Sequence, residues 1–257
     1  AHSVRCYVSP KISDIILMGS ERIHLFDTPL LVSRNMGLAV DQRAAKRVMD
    51  ILISGIGIII TSPIMLIIAI AVKAYDRGPV FYFQDRLTLG GKPFKICKFR
   101  SMCVDSEKNG ARLASKHDSR ITPVGHVLRN LHLDELPQLF NVFKGDMSLV
   151  GPRPERESIM LEYEKELPEF YYRLKVKAGL TGYAQVYGKY NTTPYDKLKL
   201  DLFYIENYSF LLDIKLIFMT VKIFFQKEVS EGVDDRQVNA LKDSGKNAGV
   251  SENKTEE

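Results

Sequence analysis

The chain has 257 residues, of which 45% are hydrophobic and 26% are charged. That balance excludes an intrinsically disordered chain, and 17 glycines, 11 prolines and three cysteines exclude collagen-like and disulfide-stapled proteins. The net charge of +5 suits an anionic partner: a nucleic acid, an anionic lipid or a phosphate substrate.

The two ends of the chain differ in composition from its middle. Residues 1–42 are mixed, with a strand-and-loop pattern at 22–32, and we interpret them as a linker or as the end of a domain that this chain lacks. Residues 228–257 are charged and contain no aromatic residue, which predicts a disordered tail.

Residues 51–72 form an apolar segment without a single charged residue. A helix needs about 20 such residues to cross a membrane. Basic residues flank the segment on both sides: Arg43, Lys46 and Arg47 precede it, and Lys73 and Arg77 follow it. Because basic flanks prefer the cytoplasmic side, this arrangement favours a segment that enters and leaves through the same leaflet.

Ser62-Pro63, near the middle of the apolar segment, is where we expect the helix to break. Pro63 has no amide hydrogen and clashes with the carbonyl of Ile59, while the hydroxyls of Thr61 and Ser62 can satisfy the freed backbone groups. Residues 43–78 are therefore predicted to form a basic helix followed by a re-entrant helical hairpin. The alternatives are a spanning helix that tolerates its proline and, less favoured, a buried core helix.

Residues 79–227 are predicted to form a small mixed domain. Two strands at 80–88 and 92–102 are joined by a hairpin at Gly90-Gly91. Lys98 and Arg100 share one face of the second strand, which either binds phosphate or is simply its wet side.

The remaining elements of this domain are mostly helical. Residues 157–177 form an amphipathic helix with a break at Pro168, Gly179 and Gly182 mark a turn, and residues 196–209 form another helix. Residues 211–225 are apolar apart from three charges, a pattern that fits either a helix in the membrane interface or a core helix.

The densest group of reactive side chains lies between residues 129 and 155. Asp134 and Glu135 precede a helix that we predict to begin near Leu136 and to stop at Gly145. Arg129 lies upstream of the two carboxylates. Arg153 lies between two prolines, which stiffen its loop and leave the side chain little entropy to lose on binding.

This group suits phosphoryl transfer. A carboxylate can attack phosphorus or bind Mg²⁺, and arginines can neutralise the charge of the transferred group. The plain alternative is that Asp134 and Glu135 cap a helix and that Arg129 pairs with one of them.

Several motifs in this order resemble the bacterial sugar transferases, which are monotopic phosphoglycosyl transferases also called polyprenyl glycosylphosphotransferases. The resemblance covers roughly residues 43–229. It rests on the KR-x-x-D pattern of Lys46, Arg47 and Asp50, the Ser62-Pro63 pair, and the strings KFRSM, LDELPQLFNVFKGDMSLVGPRP, GLTGYAQV and NYSFLLDIKLIFMT.

The resemblance implies an α/β, mostly helical, monotopic membrane enzyme whose hairpin breaks at Ser62-Pro63 and whose catalytic domain, with interfacial helices, lies on the cytoplasmic face of the bacterial inner membrane. Such enzymes move a hexose-1-phosphate from a UDP-sugar to undecaprenyl phosphate, releasing UMP, and so begin the assembly of exopolysaccharides, capsules or other glycoconjugates. They use Mg²⁺ and form a covalent aspartyl phospho-sugar. The N-terminal segment resembles the linker of long family members.

The resemblance also assigns roles to residues. Asp134 matches the nucleophile and a metal contact, and Glu135 matches its partner. The remaining matches are Arg129 with a phosphate-binding arginine, Arg153 with an arginine associated with the nucleotide, and Lys98 and Arg100 with a basic active-site strand.

Some positions depart from the family pattern. Tyr183 stands in place of the usual tryptophan, and Ala178 in place of the usual proline before GLTG. These departures leave the identity of the sugar undetermined, and glucose and galactose are expected from family habit alone. A homo-oligomer is possible, and the sequence does not determine the oligomeric state. The alternative function is a membrane-tethered scaffold that binds anionic lipid without catalysis. A nucleic-acid partner is not expected, since it leaves the apolar segment unexplained.

Overall fold

The computed structural model describes residues 9–18, 20–25, 28–33, 37–104, 118–188 and 192–224, so the predicted tail lies outside the described residues. The α-helices are α1 (Ile12–Met18), α2 (Val40–Asp76), α3 (Pro123–Asn130), α4 (Gln138–Lys144), α5 (Glu157–Glu166), α6 (Tyr183–Tyr187), α7 (Pro194–Glu206) and α8 (Phe210–Phe224). The strands are β1 (Ser20–Leu25), β2 (Thr28–Ser33), β3 (Phe81–Leu87), β4 (Pro93–Phe99), β5 (Ser148–Val150) and β6 (Gly179–Thr181), and 3₁₀ turns form at Leu89–Gly91, Leu133–Glu135 and Pro168–Lys175. The prediction of a mostly helical chain is confirmed.

Helix α2 carries the apolar segment and is long and apolar enough to cross a membrane, by length and composition. Pro63 lies inside this 37-residue helix. The Ser62 hydroxyl donates to the carbonyl of Ile59 at 2.8 Å, and Thr61 donates to that of Gly57 at 2.7 Å. The Ser62 hydroxyl therefore satisfies the carbonyl that Pro63 frees, as predicted, whereas Thr61 binds a different carbonyl. The reversal of direction at Ser62-Pro63 stays a prediction.

The described strands form three two-stranded sheets. Strands β3 and β4 pair antiparallel, and Gly90 and Gly91 between them both adopt positive φ, at 68° and 75°. This hairpin confirms the prediction. Strands β5 and β6 pair in parallel, with Ser148 opposite Gly179, so the prediction of a turn at Gly179 was wrong.

The hydrophobic core lies where β5, α4, α7 and α8 meet. Its fully buried members include Val142, Val150, Leu198, Leu202 and Leu216. Ile12 and Ile15 of α1 join this core, and α1 packs against α7. Residues 12–18, inside the segment interpreted as a linker, thus help to build the core.

Local signals placed two helix ends correctly. Gly145 ends α4 with φ of 100°, and α5 ends at Glu166, one residue before the 3₁₀ turn that begins at Pro168. Helix α4 begins at Gln138 rather than near Leu136, because Leu133–Glu135 form a 3₁₀ turn of their own.

Candidate active site

The turn that carries Asp134 and Glu135 connects two short helices. Helix α3 is capped by Thr122, whose hydroxyl accepts a hydrogen bond from the amide of Gly125 at 2.9 Å. After α3, His132 adopts a left-handed conformation with φ of 52°, which redirects the chain into the 3₁₀ turn. The two carboxylates therefore lie in a sharply bent connection and not within α4.

This turn rests on helix α2. A buried apolar cluster joins them, formed by Met65, Ile68 and Val72 of α2 together with Phe99 and Leu128, with Leu133 and Leu136 packed against it. Leu133 and Leu136 lie on either side of the two acidic residues along the chain. The turn thus holds Asp134 and Glu135 directly beside the apolar helix.

Glu135 is the anionic partner of two cations that come from separate elements. Its Oε1 accepts hydrogen bonds from Lys98 Nζ of β4 at 2.6 Å and from Arg153 Nη2 at 2.8 Å. Burial opposes ionisation of Glu135, but Arg153 and Lys98 outweigh burial and hold its pKa far below the usual range. Glu135 therefore acts as a charged bridge between strand β4 and the proline-flanked loop.

Asp134 has the opposite environment. It is half-buried, and in the described part of the chain no group donates a hydrogen bond to its carboxylate. Burial and the charge of Glu135 raise its pKa, although Lys98 and Arg129 oppose the shift. Neighbouring carboxyl groups with pKa values shifted in opposite directions indicate different roles, and here the uncommitted carboxylate is Asp134.

The other predicted basic residues separate into two places. Arg129 is half-buried in the last turn of α3, close enough for its charge to lower the pKa of Asp134. Arg100 is almost completely buried and forms an ion pair with Asp76 at the end of α2. Lys98 and Arg100 therefore serve different partners, although we predicted that they share one face of a strand.

Asp134 and Glu135 are the candidate ligands for Mg²⁺ at this site. Among the described residues, no group of three or more Asp, Glu, His or Cys side chains could hold a metal ion. Mg²⁺ commonly uses only one or two carboxylates and completes its shell with water and substrate phosphates. Asp134, whose carboxylate is uncommitted, fits that mode, whereas Glu135 already serves two cations.

Sequence reasoning missed Asn141, which fixes α4 to β4. Its side chain accepts from the amide of Cys97 at 2.9 Å and donates to the carbonyl of Lys95 at 2.8 Å, as a neighbouring strand would. A polar residue within the apolar stretch between Leu139 and Val142 was the available signal. This contact holds the helix that follows the acidic turn against the strand that carries Lys98.

The KR-x-x-D residues fasten the start of α2 to three different elements. Lys46 pairs with Asp213 of α8 at 2.5 Å. Arg47 donates to the carbonyls of Val142 and Phe143 at 2.8 Å each, at the C-terminal end of α4, where a cation is favoured. The third contact is Asp50, which accepts from the Ser148 hydroxyl and the Leu149 amide of β5.

Apolar side chains are exposed next to this site as well as on α2. Ile59 in the middle of α2 is 74% exposed, and Phe218 of α8 is 72% exposed. Phe140 and Phe143 of α4 are also exposed. Such side chains are expected where a protein meets lipid.

A profile of the bacterial sugar transferase family matches residues 41–227, well over half of the chain. The chain belongs to the bacterial sugar transferase family. The match covers α2 from its second residue onward, the acidic turn and the loop with Arg153, which are the elements gathered at the site.

Two similar proteins have names that state a sugar and undecaprenyl phosphate. A UDP-N-acetylgalactosamine-undecaprenyl-phosphate N-acetylgalactosaminephosphotransferase of Aeromonas hydrophila is 46% identical over 69% of this chain and 43% of its own length. A UDP-glucose:undecaprenyl-phosphate glucose-1-phosphate transferase of Klebsiella pneumoniae is 43% identical over 77% of this chain and 42% of its own. The chain thus spans less than half of these two relatives.

A Caulobacter vibrioides protein has a length closer to that of this chain. It is named a UDP-glucose:undecaprenyl-phosphate glucose-1-phosphate transferase, and it is 37% identical over 84% of both chains. The relatives therefore share undecaprenyl phosphate in their names and differ in the sugar.

Proposed function

We propose that this chain transfers a hexose-1-phosphate from a UDP-sugar to undecaprenyl phosphate and releases UMP. The observation that carries this proposal is the contrast between two adjacent carboxylates beside an apolar helix. Glu135 is held by Lys98 and Arg153, while the partly desolvated carboxylate of Asp134 accepts no hydrogen bond from the residues that the structure describes. A scaffold that only binds lipid would have no need for that contrast.

The reaction proceeds in two displacements at one phosphorus atom. In the first, an Asp134 oxygen attacks the β-phosphorus of the UDP-sugar, and the bond to the bridging oxygen breaks, so that UMP leaves with the bonding electrons. In the second, an oxygen of the polyprenyl phosphate attacks the same phosphorus. That step releases the Asp134 carboxylate and forms a lipid diphosphate sugar.

The cations around Glu135 are placed to stabilise the negative charge of the phosphoryl group that is transferred. Arg153 is 45% exposed and points its guanidinium at Glu135, so it can contact a phosphate without leaving the site. Lys98 donates to the same oxygen, and the charge of Arg129 acts on Asp134 from α3. Preorganised positive charge of this kind stabilises the equatorial oxygens of a transferred phosphoryl group.

Mg²⁺ is the metal implied by the family, and Asp134 is the residue that would hold it together with substrate oxygens. When bound, the ion supplies positive charge against the diphosphate of the donor. The chain's own part is to keep the Asp134 carboxylate uncommitted by assigning Lys98 and Arg153 to Glu135.

We further propose that α2 re-enters the leaflet from which it came, on the cytoplasmic side of the bacterial inner membrane. Lys46 and Asp50 near its start contact α8 and β5, and Asp76 at its end contacts Arg100 of the same catalytic domain. Between these contacts Ile59 and Ile67 are largely exposed. A helix with both ends on one domain and an exposed apolar middle is best served by a hairpin, which also brings a lipid acceptor to Asp134.

The activity is tested with Asp134→Asn in membranes that contain undecaprenyl phosphate, Mg²⁺ and a panel of UDP-sugars. The parent should release UMP and form a trapped protein-bound phospho-sugar, and Asp134→Asn should do neither. Asp85→Asn is the matched control, because Asp85 lies in an exposed ion pair with Lys95 on the β3–β4 hairpin. Normal turnover by Asp134→Asn would remove the nucleophile assignment, and a parent without UMP release would favour the scaffold.

Membrane orientation is tested with two matched alanines, Ala44 and Ala74, which are exposed near opposite ends of α2. Each is changed to cysteine in a chain whose native cysteines are replaced, and an impermeant maleimide is added to intact or lysed spheroplasts. Re-entrance predicts that both positions react only after lysis. Reaction of one of them in intact cells would refute the hairpin.

A further inference from the structure

The loop that presents Arg153 is held along its whole backbone. Four consecutive carbonyls, those of Pro152, Arg153, Pro154 and Glu155, accept hydrogen bonds from Gly179 N at 2.9 Å, Arg173 Nη2 at 3.0 Å, Arg86 Nη1 at 3.1 Å and Leu87 N at 3.0 Å respectively. Two of these donors are backbone amides of β6 and β3. The other two are arginine side chains, and the carbonyl of Arg153 itself is served by Arg173.

Arg173 is unusually buried for an arginine, at 2% exposed. Its Nη2 and Nε both contact Oδ2 of Asp201, at 2.8 Å and 3.0 Å, and its Nη1 lies 3.5 Å from Oε1 of Glu155. The guanidinium also lies 4.8 Å from the ring centre of Phe170. These contacts fix the plane of the guanidinium, so its remaining hydrogen bond to Arg153 has a fixed direction.

Asp201 gives Arg173 an anchor that is independent of the loop. It is 1% exposed and belongs to α7, whose Leu198 and Leu202 are fully buried in the core. The link therefore runs from the core helix through Asp201 and Arg173 to the backbone of Arg153. From there the Arg153 side chain reaches Glu135 at 2.8 Å.

We propose that Arg173 is a positioning residue for the transfer reaction, anchored by Asp201, which holds the backbone of Arg153 so that its guanidinium stays between Glu135 and the donor phosphates. This inference rests on the proposed function. The Arg153 side chain is half-exposed, so the backbone clamp is its main restraint apart from Glu135. A displacement of about 1 Å in such a group can cost on the order of 100-fold in rate.

The proposal is tested by a double-mutant cycle on kcat/KM for the UDP-sugar, with Arg173→Lys, Arg153→Ala and the combination. Lysine keeps the charge of Arg173 but loses the fork that joins Asp201 to the carbonyl. Arg173→Lys alone should lower kcat/KM by about 10- to 100-fold. In the Arg153→Ala background it should lower kcat/KM by no more than about twofold, because the side chain that it positions is gone.

A purely structural role predicts a different result. Arg173→Lys would then reduce activity by the same factor in both backgrounds, and that additivity would overturn the proposal. Lys175→Arg is the matched control, since Lys175 lies in the same 3₁₀ turn and contacts the ring of Tyr172 instead of the loop. Lys175→Arg should leave kcat/KM unchanged both in the parent and in the Arg153→Ala background.

Folding and function are kept apart in the design. If Arg173→Lys fails to fold, Asp201→Asn loosens the anchor while retaining Arg173, and its loss of activity should likewise vanish in the Arg153→Ala background. If the parent releases UMP but the effects of the substitutions are additive, only the positioning role is refuted. A parent that releases no UMP refutes the proposed function, and the positioning role falls with it.

Discussion

Replacing Asp213 by asparagine removes one partner from the most buried ion pair at the start of α2. The side chains of Lys46 and Asp213 are 7% and 0% exposed, and the Tyr204 hydroxyl donates to the second carboxylate oxygen at 2.7 Å. Burial raises the pKa of the Asp213 carboxyl, although Lys46 and Tyr204 oppose that shift. The intact pair therefore adds little net stability, and its importance appears when one partner is lost.

The size of the stability loss depends on Lys46, which would stay buried without its charged partner. Breaking a buried pair by removing one partner costs about 3–5 kcal/mol. Lys46 also donates to the Tyr204 hydroxyl at 3.1 Å, and the asparagine oxygen can still accept, so we expect the lower end, about 3 kcal/mol. For a domain of this size that loss lowers the melting temperature by about 6–12 °C.

The assay is thermal unfolding in detergent or lipid nanodiscs, followed by circular dichroism because the chain contains no tryptophan. Asp85→Asn is the same substitution in an ion pair whose side chains are 70% and 69% exposed, and it should change stability by less than about 1 kcal/mol. Changing Lys46 to methionine and Asp213 to leucine together should recover most of the loss, because no charge is stranded. Equal shifts for the two Asp→Asn variants, or no recovery in the double variant, would refute this reasoning.

Two further predictions concern the acidic turn and the helix before it. The proposed attack requires an ionised Asp134 carboxylate, so UMP release should fall as the pH drops through the raised pKa of Asp134. The charge of Glu135 contributes to that raised pKa, so Glu135→Gln should move the acid limb of the pH–rate profile to lower pH. An acid limb that stays in place or moves to higher pH would contradict the assignment. Gly125→Ala would place a Cβ 1.9 Å from the carbonyl oxygen of Ser101, so it should destabilise the protein by about 1–3 kcal/mol or more, as measured by denaturant unfolding. The control is Gly55→Ala, also within a helix, whose Cβ would meet only the Phe143 ring at 3.5 Å and should leave stability unchanged or raise it.

Elements with local signals were predictable from sequence. The β3–β4 hairpin follows from Gly90-Gly91, and the end of α4 follows from Gly145, because positive φ favours glycine whatever the tertiary context. The β5–β6 pair was missed because each strand has only three residues, which is too short for a periodic pattern to predict a strand. Its signal was steric: a Cβ on Gly179 would lie 2.1 Å from the amide nitrogen of Gly151.

The sequence predicted part of the candidate group but not its arrangement, since the predicted Arg100 pairs with Asp76 instead of Glu135. Asp134, Glu135 and Arg153 were selected because acidic and proline-flanked basic residues suit phosphate chemistry. Which carboxylate is engaged depends on Lys98, which arrives from β4 through tertiary pairing that no local pattern encodes. The same limit explains why Lys98, within β4, and Arg100, just past the end of β4, serve different partners.

The basic residues around α2 do more than orient it. The positive-inside argument counted Lys46 and Arg47 as flanking charges, yet Lys46 is buried against Asp213 and Arg47 binds the last carbonyls of α4. Charges that are already engaged in contacts within the protein contribute little to an electrostatic preference for one side of a bilayer. The stronger reason to expect both ends of α2 on one side is mechanical: each end is joined by ionic contacts to the same domain, and such contacts cannot form across a layer of hydrocarbon. The residues that bind α2 to its domain are thus the ones that would force a hairpin on it.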